Sequence, residues 1–294
     1  MNEIETCIGK KFTITEKDLL QTVISVKGDR DTFPDEGPTT EDCQNLLKIP
    51  ADDCSEETKK VIIQFMLKFG KLYKKDFQPL IERLRTFELE NINEGYRDHV
   101  CHSFRVWCLG YWLYQKGFKC FFDAVGQSSD DFDFVWYLTA FYHDIGYIKE
   151  HRVHGGDSAQ LLLKKLNSTF SGNWTINAIH AIVAICYHDR HEEVDISKDP
   201  YSALLIVCDE LQEWGRNIPR NIPENIEKFE PDKFEFCLDL SNLQPSIEVV
   251  LFYRLQTKPV KELSDYVKRK EGKLNRKFSS RIKNLTIKVH CKTY

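Results

Sequence analysis

The chain has 294 residues, of which 41% are hydrophobic and 29% charged, and its formal net charge is −4, a balance typical of a globular protein. It has no run of about eighteen consecutive apolar residues, and its first residues, MNEIETCIGK, lack the blocks of a signal peptide. Its 10 cysteines are scattered without a CxxC pair, which argues against a disulfide scaffold. We therefore expect a cytoplasmic protein that does not associate with membranes and whose cysteines are free thiols.

The N-terminal part of the chain shows no clear domain of its own. Residues 1–54 mix short apolar patches with turn-rich polar stretches, and we interpret them as a lead-in. Residues 56–92 carry apolar residues at helical intervals, which predicts two helices, with Ser55 as the N-cap of the first.

Helical periodicity continues through the middle of the chain. The predicted helices are 98–118, closed by Gly117, then 133–145, 157–166, 175–188 and 201–215. The polar segment GQSSDDFD at 126–133 is predicted to be a loop, Gly146 to stop the second helix, and Asp157 or Ser158 to cap the third. Helices joined by short polar loops favour a bundle-like core, which we place at residues 55–217.

The C-terminal part has a different pattern. The segment RNIPRNIPEN at 216–225 reads as a linker. Alternating or continuous apolar residues then predict strands at 233–240 and 246–255, a helix at 260–280 and a last strand at 284–294. We therefore predict a mainly α protein with a small β-β-α-β appendage over residues 226–294.

The histidines and one apolar run suggest a metal site. Of the 9 histidines, only His290 lies outside the segment from His99 to His191. The run FYHDIGYI at 141–148 places His143 and Asp144 among apolar residues, where an unpaired carboxylate is costly to bury. A divalent cation would offset that cost, and imidazole and carboxylate are suitable ligands for one. Two other predicted helices carry His102 and Asp209, so three helices could bring the four side chains to one ion.

The order H … HD … D, with HS near the start of one helix and HDIG at the end of another, resembles the HD-domain metal-dependent phosphohydrolase superfamily over roughly residues 95–217. The resemblance implies an HD-type helical bundle in which His102, His143, Asp144 and Asp209 bind a divalent cation. Some members hold a second metal with two more histidines, and His154 and His188 match those positions. We prefer His188 to His180 because it lies at a predicted helix end, and the two are about 12 Å apart along a helix axis.

The resemblance also implies an activity. We expect a phosphomonoesterase or phosphodiesterase acting on a nucleotide or related phosphoester, with one or two ions of Mn, Zn, Co, Mg or Fe. The expected catalytic carboxylates are Asp144, Asp189 and Glu210. Many family phosphodiesterases carry a lysine directly after HDIG, where this chain has Tyr147. The phosphate-binding cation would then come from Lys149, Arg152, Arg190 or Arg216.

Three alternatives stay open at this stage. The same six ligands could hold a di-iron pair that oxidises its substrate with dioxygen, as in a few relatives of this fold. The metal site could instead be structural, in a sensor or interaction module. The basic stretch VKRKEGKLNRKFSSRIK at 267–283 could attract RNA, a nucleotide or an acidic partner, although such a run is more often a solvated helix face.

Overall fold

The computed structural model of the chain describes residues 9–25, 40–41, 56–68, 99–148, 154–169, 176–214, 230–240, 244–254 and 261–294. Within these ranges the protein is mostly helical with a small mixed sheet, which confirms the prediction of a mainly α chain at that level. None of the helices in these ranges has the length and apolar character that crossing a bilayer requires. The second helix predicted within 56–92 and the linker at 216–225 lie outside the described residues.

The α-helices follow one another along the chain as α1 Glu16–Ser25, α2 Glu56–Lys68, α3 His99–Leu113, α4 Lys119–Ala124, α5 Ser129–Tyr142, α6 His154–Thr169, α7 Ile176–Tyr187, α8 Pro200–Leu211 and α9 Lys261–Arg281. A π-helical turn, Tyr114–Phe118, joins α3 to α4. Within it Gly117 has a φ of 148°, a backbone angle that residues other than glycine rarely adopt. The α-helical part of the predicted helix 98–118 therefore ends before Gly117.

Helix α5 differs from its prediction at both ends. It begins inside the segment predicted to be a loop, because Ser128 and Asp131 form a capping box in which the Asp131 N–H donates to Ser128 Oγ at 3.1 Å. It ends at Tyr142, so His143 and Asp144 lie in a turn that leads into a 3₁₀ helix, Ile145–Ile148. Helix α6 also starts earlier than predicted, at His154, so its N-cap is neither of the two residues expected.

Helices α3 and α5 pack closely in the core. A Cβ added to Gly110 of α3 would lie 1.9 Å from the indole ring of Trp136 in α5, so only glycine fits there. The Trp136 indole N–H donates to the Trp107 carbonyl at 2.9 Å. Helix α7 packs against α5, α6 and α8, and α8 also packs against α3. The segments that carry the predicted ligands are therefore neighbours.

The main sheet has the strand order β1 Lys10–Thr15, β3 Pro231–Asp239, β4 Ser246–Tyr253 and β6 Thr286–Thr293. The first two pairings are antiparallel, and β4 and β6 are parallel with α9 between them in the chain. The β-β-α-β order predicted for the C-terminal part is therefore present. Strand β1, however, comes from the segment predicted to be a lead-in, and α1 after it packs against α3. A short parallel pair, β2 Val194–Asp195 and β5 Ile282–Lys283, links the helical part to the end of α9.

Helix α9 is fixed to both parts of the protein. The Asn275 amide donates to the Val289 carbonyl at 2.7 Å and accepts from the Val289 N–H at 2.8 Å, which covers the open edge of β6. On the helical side, Lys270 pairs with Glu213 at 2.6 Å, and both side chains are almost fully buried. The predicted basic run is thus divided between cations that face the protein and cations that face solvent.

Among the cysteines of the described residues, six are free, namely Cys101, Cys108, Cys120, Cys186, Cys208 and Cys291. Cys237 of β3 is disulfide-bonded, so the prediction of free thiols throughout is wrong at this position. The spacing of cysteines along a chain does not show which thiols folding brings together, so the sequence did not indicate this bond.

Candidate metal centre

Six imidazole and carboxylate side chains converge where the ends of several helices meet. They are His102 of α3, His143 and Asp144 in the turn after α5, His154 at the start of α6, His188 directly after α7, and Asp209 of α8. The first five are between 0% and 7% exposed, and the Asp209 side chain is 14% exposed. These are the six residues that the sequence predicted as metal ligands.

Asp144 is shared by two groups of ligand atoms. One group consists of His102, His143 and Asp144 and the other of Asp144, His154 and His188, with all atoms of a group within 4.8 Å of one another. Asp144 Oδ1 lies 3.3 Å from His143 Nε2 and 2.9 Å from His154 Nε2. Asp144 Oδ2 lies 3.6 Å from His102 Nε2. Each group could hold one ion, with the Asp144 carboxylate between the two.

Backbone carbonyls fix the orientation of two of the imidazoles. The Nδ1–H of His143 donates to the Ala140 carbonyl at 2.7 Å, and the Nδ1–H of His188 donates to the Ile185 carbonyl at 2.6 Å. Because a carbonyl oxygen only accepts, these Nδ1 atoms carry the hydrogen, and in the neutral ring Nε2 has a free lone pair. That is the tautomer a metal ligand needs.

His102 is oriented by Gln212, a residue that sequence reasoning missed. Gln212 Oε1 accepts from His102 Nδ1–H at 2.5 Å, while Gln212 Nε2 donates to the Trp214 carbonyl at 2.5 Å, so the amide orientation is determined by its partners. Gln212 is fully buried. Gln212 follows Asp209 by three residues in the largely polar stretch CDELQEW, so nothing in the local sequence marked it as a buried amide.

The Nε2 atoms of the four histidines face one another in pairs. The distance is 3.2 Å between His102 and His143 and 2.8 Å between His154 and His188. Two unprotonated nitrogens at such distances repel each other unless a proton or a cation lies between them. Asp209 Oδ1, 3.0 Å from His102 Nε2, adds a carboxylate to the first pair. In the first pair both Nδ1 atoms carry the hydrogen, so a proton or a cation must lie between the two Nε2 atoms, and a metal ion could provide that charge.

The pKa of His143 reflects the same requirement. Burial disfavours its charged form, but the carboxylates of Asp144 and Asp209 outweigh burial and raise the pKa of His143 to about 10. Without a metal, the protein therefore keeps a proton at this ring near neutral pH. A divalent cation would neutralise the same carboxylates and displace that proton.

Two glycines allow the segments around the cluster to approach one another. A Cβ on Gly146 would lie 2.2 Å from the His154 carbonyl oxygen, and a Cβ on Gly155 would lie 2.6 Å from the Ile185 carbonyl oxygen. Only glycine leaves room at these two positions. As a result, the turn before Gly146 lies against α6, and the start of α6 lies against the end of α7.

The predicted catalytic carboxylates have three different surroundings. Asp144 is the shared ligand described above. Asp189 Oδ2 accepts from the Gly155 N–H at 2.8 Å and lies 3.6 Å from His154 Nδ1, which is longer than a hydrogen bond. Glu210 pairs with Lys277 of α9.

Of the predicted substrate-binding cations, the structure describes Arg190 alone. This residue is exposed just after α7, and its guanidinium lies over the Tyr187 ring, 5.7 Å from the centroid. Lys149, Arg152 and Arg216 lie outside the described residues.

An aromatic ring stacks on one ligand of the second group. Tyr147, which follows HDIG, stacks on the His154 ring with 3.9 Å between centroids, and the His99 ring contacts Tyr147 at 4.7 Å. His180 lies elsewhere, against Tyr201 at 5.7 Å. Of the two histidines that competed for the second site, the structure therefore brings His188, and not His180, to the cluster.

The chain matches no protein-family model and no sequence of a curated protein. The site is therefore defined by its own geometry, as a buried cluster of histidines and aspartates that could hold metal ions.

Proposed function

We propose that the protein is a divalent-metal-dependent phosphohydrolase with an HD-type helical core, which cleaves a phosphoester of a nucleotide or related compound. The observation that carries the proposal is the pairing of four histidine Nε2 atoms on a shared buried carboxylate, Asp144. Closely packed buried imidazoles whose Nδ1 atoms carry the hydrogen are hard to explain without cations. Two ions that share a carboxylate are a common arrangement for phosphoester hydrolysis.

The ligands divide between two proposed ions. The first would be held by His102, His143, Asp144 and Asp209, and the second by Asp144, His154 and His188. Four imidazoles favour zinc or iron over magnesium, which prefers oxygen ligands. Bound there, the ions would lower the pKa of a coordinated water towards neutrality and stabilise negative charge on a phosphoryl group.

The chain's own residues supply the remaining functions. Asp189 Oδ1 is buried without a hydrogen-bond partner among the described residues, so it is available to accept a proton close to His154. Arg190, exposed beside Asp189, offers a planar cation suited to a phosphate. Tyr147 covers one face of His154 and limits the approach of solvent to that ring.

Elemental analysis of the purified protein, combined with assays on p-nitrophenyl phosphate, bis-p-nitrophenyl phosphate and a panel of nucleotides, tests the proposal. We expect about two ions per chain and phosphoester cleavage, both lost in Asp144→Asn. The matched control is Asp123→Asn, which removes an exposed carboxylate of α4 paired with Lys119. A protein that takes up no metal when offered manganese, zinc, cobalt or iron would refute the proposal. Metal uptake with no turnover of any kind would favour a structural site in an interaction module.

A second candidate is a di-iron oxygenase on the same ligands. It is favoured by Tyr147, an uncharged phenol stacked on His154 at the position where many phosphodiesterases of the resembled family carry a lysine. Iron as the bound metal, together with dioxygen consumption and no phosphoester cleavage, would select this candidate.

A further inference from the structure

Arg281, the last residue of α9, is only 3% exposed and binds the backbone at the end of α7. Its guanidinium donates to the carbonyls of Tyr187 at 2.6 Å, His188 at 3.1 Å and Glu192 at 3.3 Å. Carbonyls at a helix C-terminus lack a partner within the helix, and a cation is favourable there. Arg281 therefore caps the turn that carries His188 and Asp189.

The chain directly after Arg281 holds the other end of the same turn. Strand β5 pairs with β2, and the Asn284 amide donates to Asp195 Oδ1 at 2.8 Å. The segment between α7 and β2 is thus tied to the end of α9 at both ends. Burial lowers the pKa of Arg281 overall, although the Glu210 and Asp189 carboxylates favour its charged form.

We propose that Arg281 is a positioning residue for the second metal ion, because it fixes the turn that aims His188 Nε2 at His154 Nε2. This inference rests on the metal binding proposed above. The ligands of the first ion come from other segments, namely α3, α8 and the turn after α5. Arg281 therefore controls occupancy of the second position and leaves the first intact.

Manganese titration of the full chain, followed by electron paramagnetic resonance, tests this role with three variants. Arg281→Met removes all three hydrogen bonds, and Arg281→Lys keeps the charge but not the planar fork. The control, Lys277→Met, removes another α9 cation that contacts the helical part through Glu210. Thermal unfolding of each metal-free variant reports whether it is folded.

We expect wild type and Lys277→Met to bind two ions and show a spin-coupled pair. In Arg281→Met the second ion should bind about 10- to 100-fold more weakly, with loss of the coupled signal, while the first is retained. Arg281→Lys should lie between the two.

Wild-type affinity for both ions in the two Arg281 variants would overturn the inference. So would an equal loss of both ions that follows thermal stability in Arg281→Met and Lys277→Met alike. Absence of metal from the wild type would overturn the proposed function itself, so the two failures are distinguishable.

Discussion

At the scale of one residue, the pKa of His143 shows how the charges of the cluster act on a single side chain. Burial opposes its charged form, but the Asp144 and Asp209 carboxylates outweigh burial, so its pKa rises from 6.5 to about 10. A pKa raised by folding means that the protonated ring stabilises the folded state. In the metal-free protein this contribution is fully present below pH 6.5 and is lost as the pH rises through about 10.

The metal-free protein should therefore lose free energy of unfolding as the pH increases from 6.5 towards 10. The metal-loaded protein should gain stability from its ions over the same range, because metal binding competes with protons. Urea unfolding with and without a chelator measures both trends. The metal-free trend should weaken in His143→Gln and persist in His180→Gln, and a trend unchanged in His143→Gln would contradict this assignment.

His143, Asp144 and Asp209 could be predicted from the sequence because each is a polar group in an apolar run, where burial requires a partner. His102 was added as a histidine on another predicted helix, and His154 and His188 came from the family resemblance alone. Gln212 and Arg281 could not be identified in the same way. Their role depends on a neighbour from another part of the chain, such as His102 for Gln212. Contacts of that kind are set by tertiary packing and leave no local pattern.

At the scale of elements, the start of α6 provides a matched test of close packing. A Cβ at Gly155 would lie 2.6 Å from the Ile185 carbonyl oxygen and 2.7 Å from Asp189 Oδ1, whereas a Cβ at Gly156 would meet no described residue within 4 Å. Gly155→Ala should destabilise the fold by about 1–3 kcal/mol and weaken the second ion, because α6 must move away from α7. Chemical denaturation and metal analysis measure the two effects.

Gly156→Ala is the control for this prediction. Alanine is favoured over glycine in a helix by up to about 1 kcal/mol, so this variant should be neutral or more stable, with normal metal content. Equal behaviour of the two variants would mean that the approach of α6 to α7 does not position the cluster.

The position of His143 and Asp144, after α5 and not within it, shows that the ends of this helix were predicted less well than its existence. The apolar run WYLTAFY predicts the helix correctly, but the predicted end is residue 145, before Gly146, and the helix ends three residues earlier, at Tyr142. At the other end, the polar residues SSDD predict a loop, although Ser128 and Asp131 form a capping box that starts the helix. Polar residues in a loop and in a first helical turn have similar composition, so only the capping contacts separate them.

At the scale of the whole molecule, the positive side chains of α9 and the residues after it fall into two groups, those that contact the rest of the protein and those that are exposed. Lys270, Lys277 and Arg281 contact the rest of the protein. The remaining cations of the basic stretch are exposed, namely Lys268, Arg269, Lys273, Arg276 and Lys283. The acidic or RNA partner predicted from the sequence would have to bind this exposed set.

Binding of a labelled single-stranded RNA, measured by fluorescence anisotropy over a range of salt concentrations, tests that partner. The double variant Lys273→Glu, Arg276→Glu should weaken binding and reduce the slope of log K against log salt by about 0.7 for each phosphate that the protein no longer neutralises. The double variant Lys10→Glu, Lys11→Glu, at an exposed part of β1, makes the same charge change elsewhere. Equal binding by the two variants would exclude α9 as the RNA surface.

The sheet marks the limit of prediction at this scale. The strands of the C-terminal part were predicted because their apolar residues alternate or run together. The pairing of β1 with β3 was not, since Lys10 faces Leu238 across the sheet and no local pattern records so distant a partner.

That pairing also determines when the protein can complete its fold during synthesis. At about 5–20 residues per second, β1 waits on the order of 10–50 s for β3 to be made. Throughout that interval the β1 backbone lacks its partner strand and can form hydrogen bonds with a wrong strand. The same delay applies to Arg281, which reaches the end of α7 only after α9 has left the ribosome. Until then, the turn that carries His188 lacks the hydrogen bonds from Arg281.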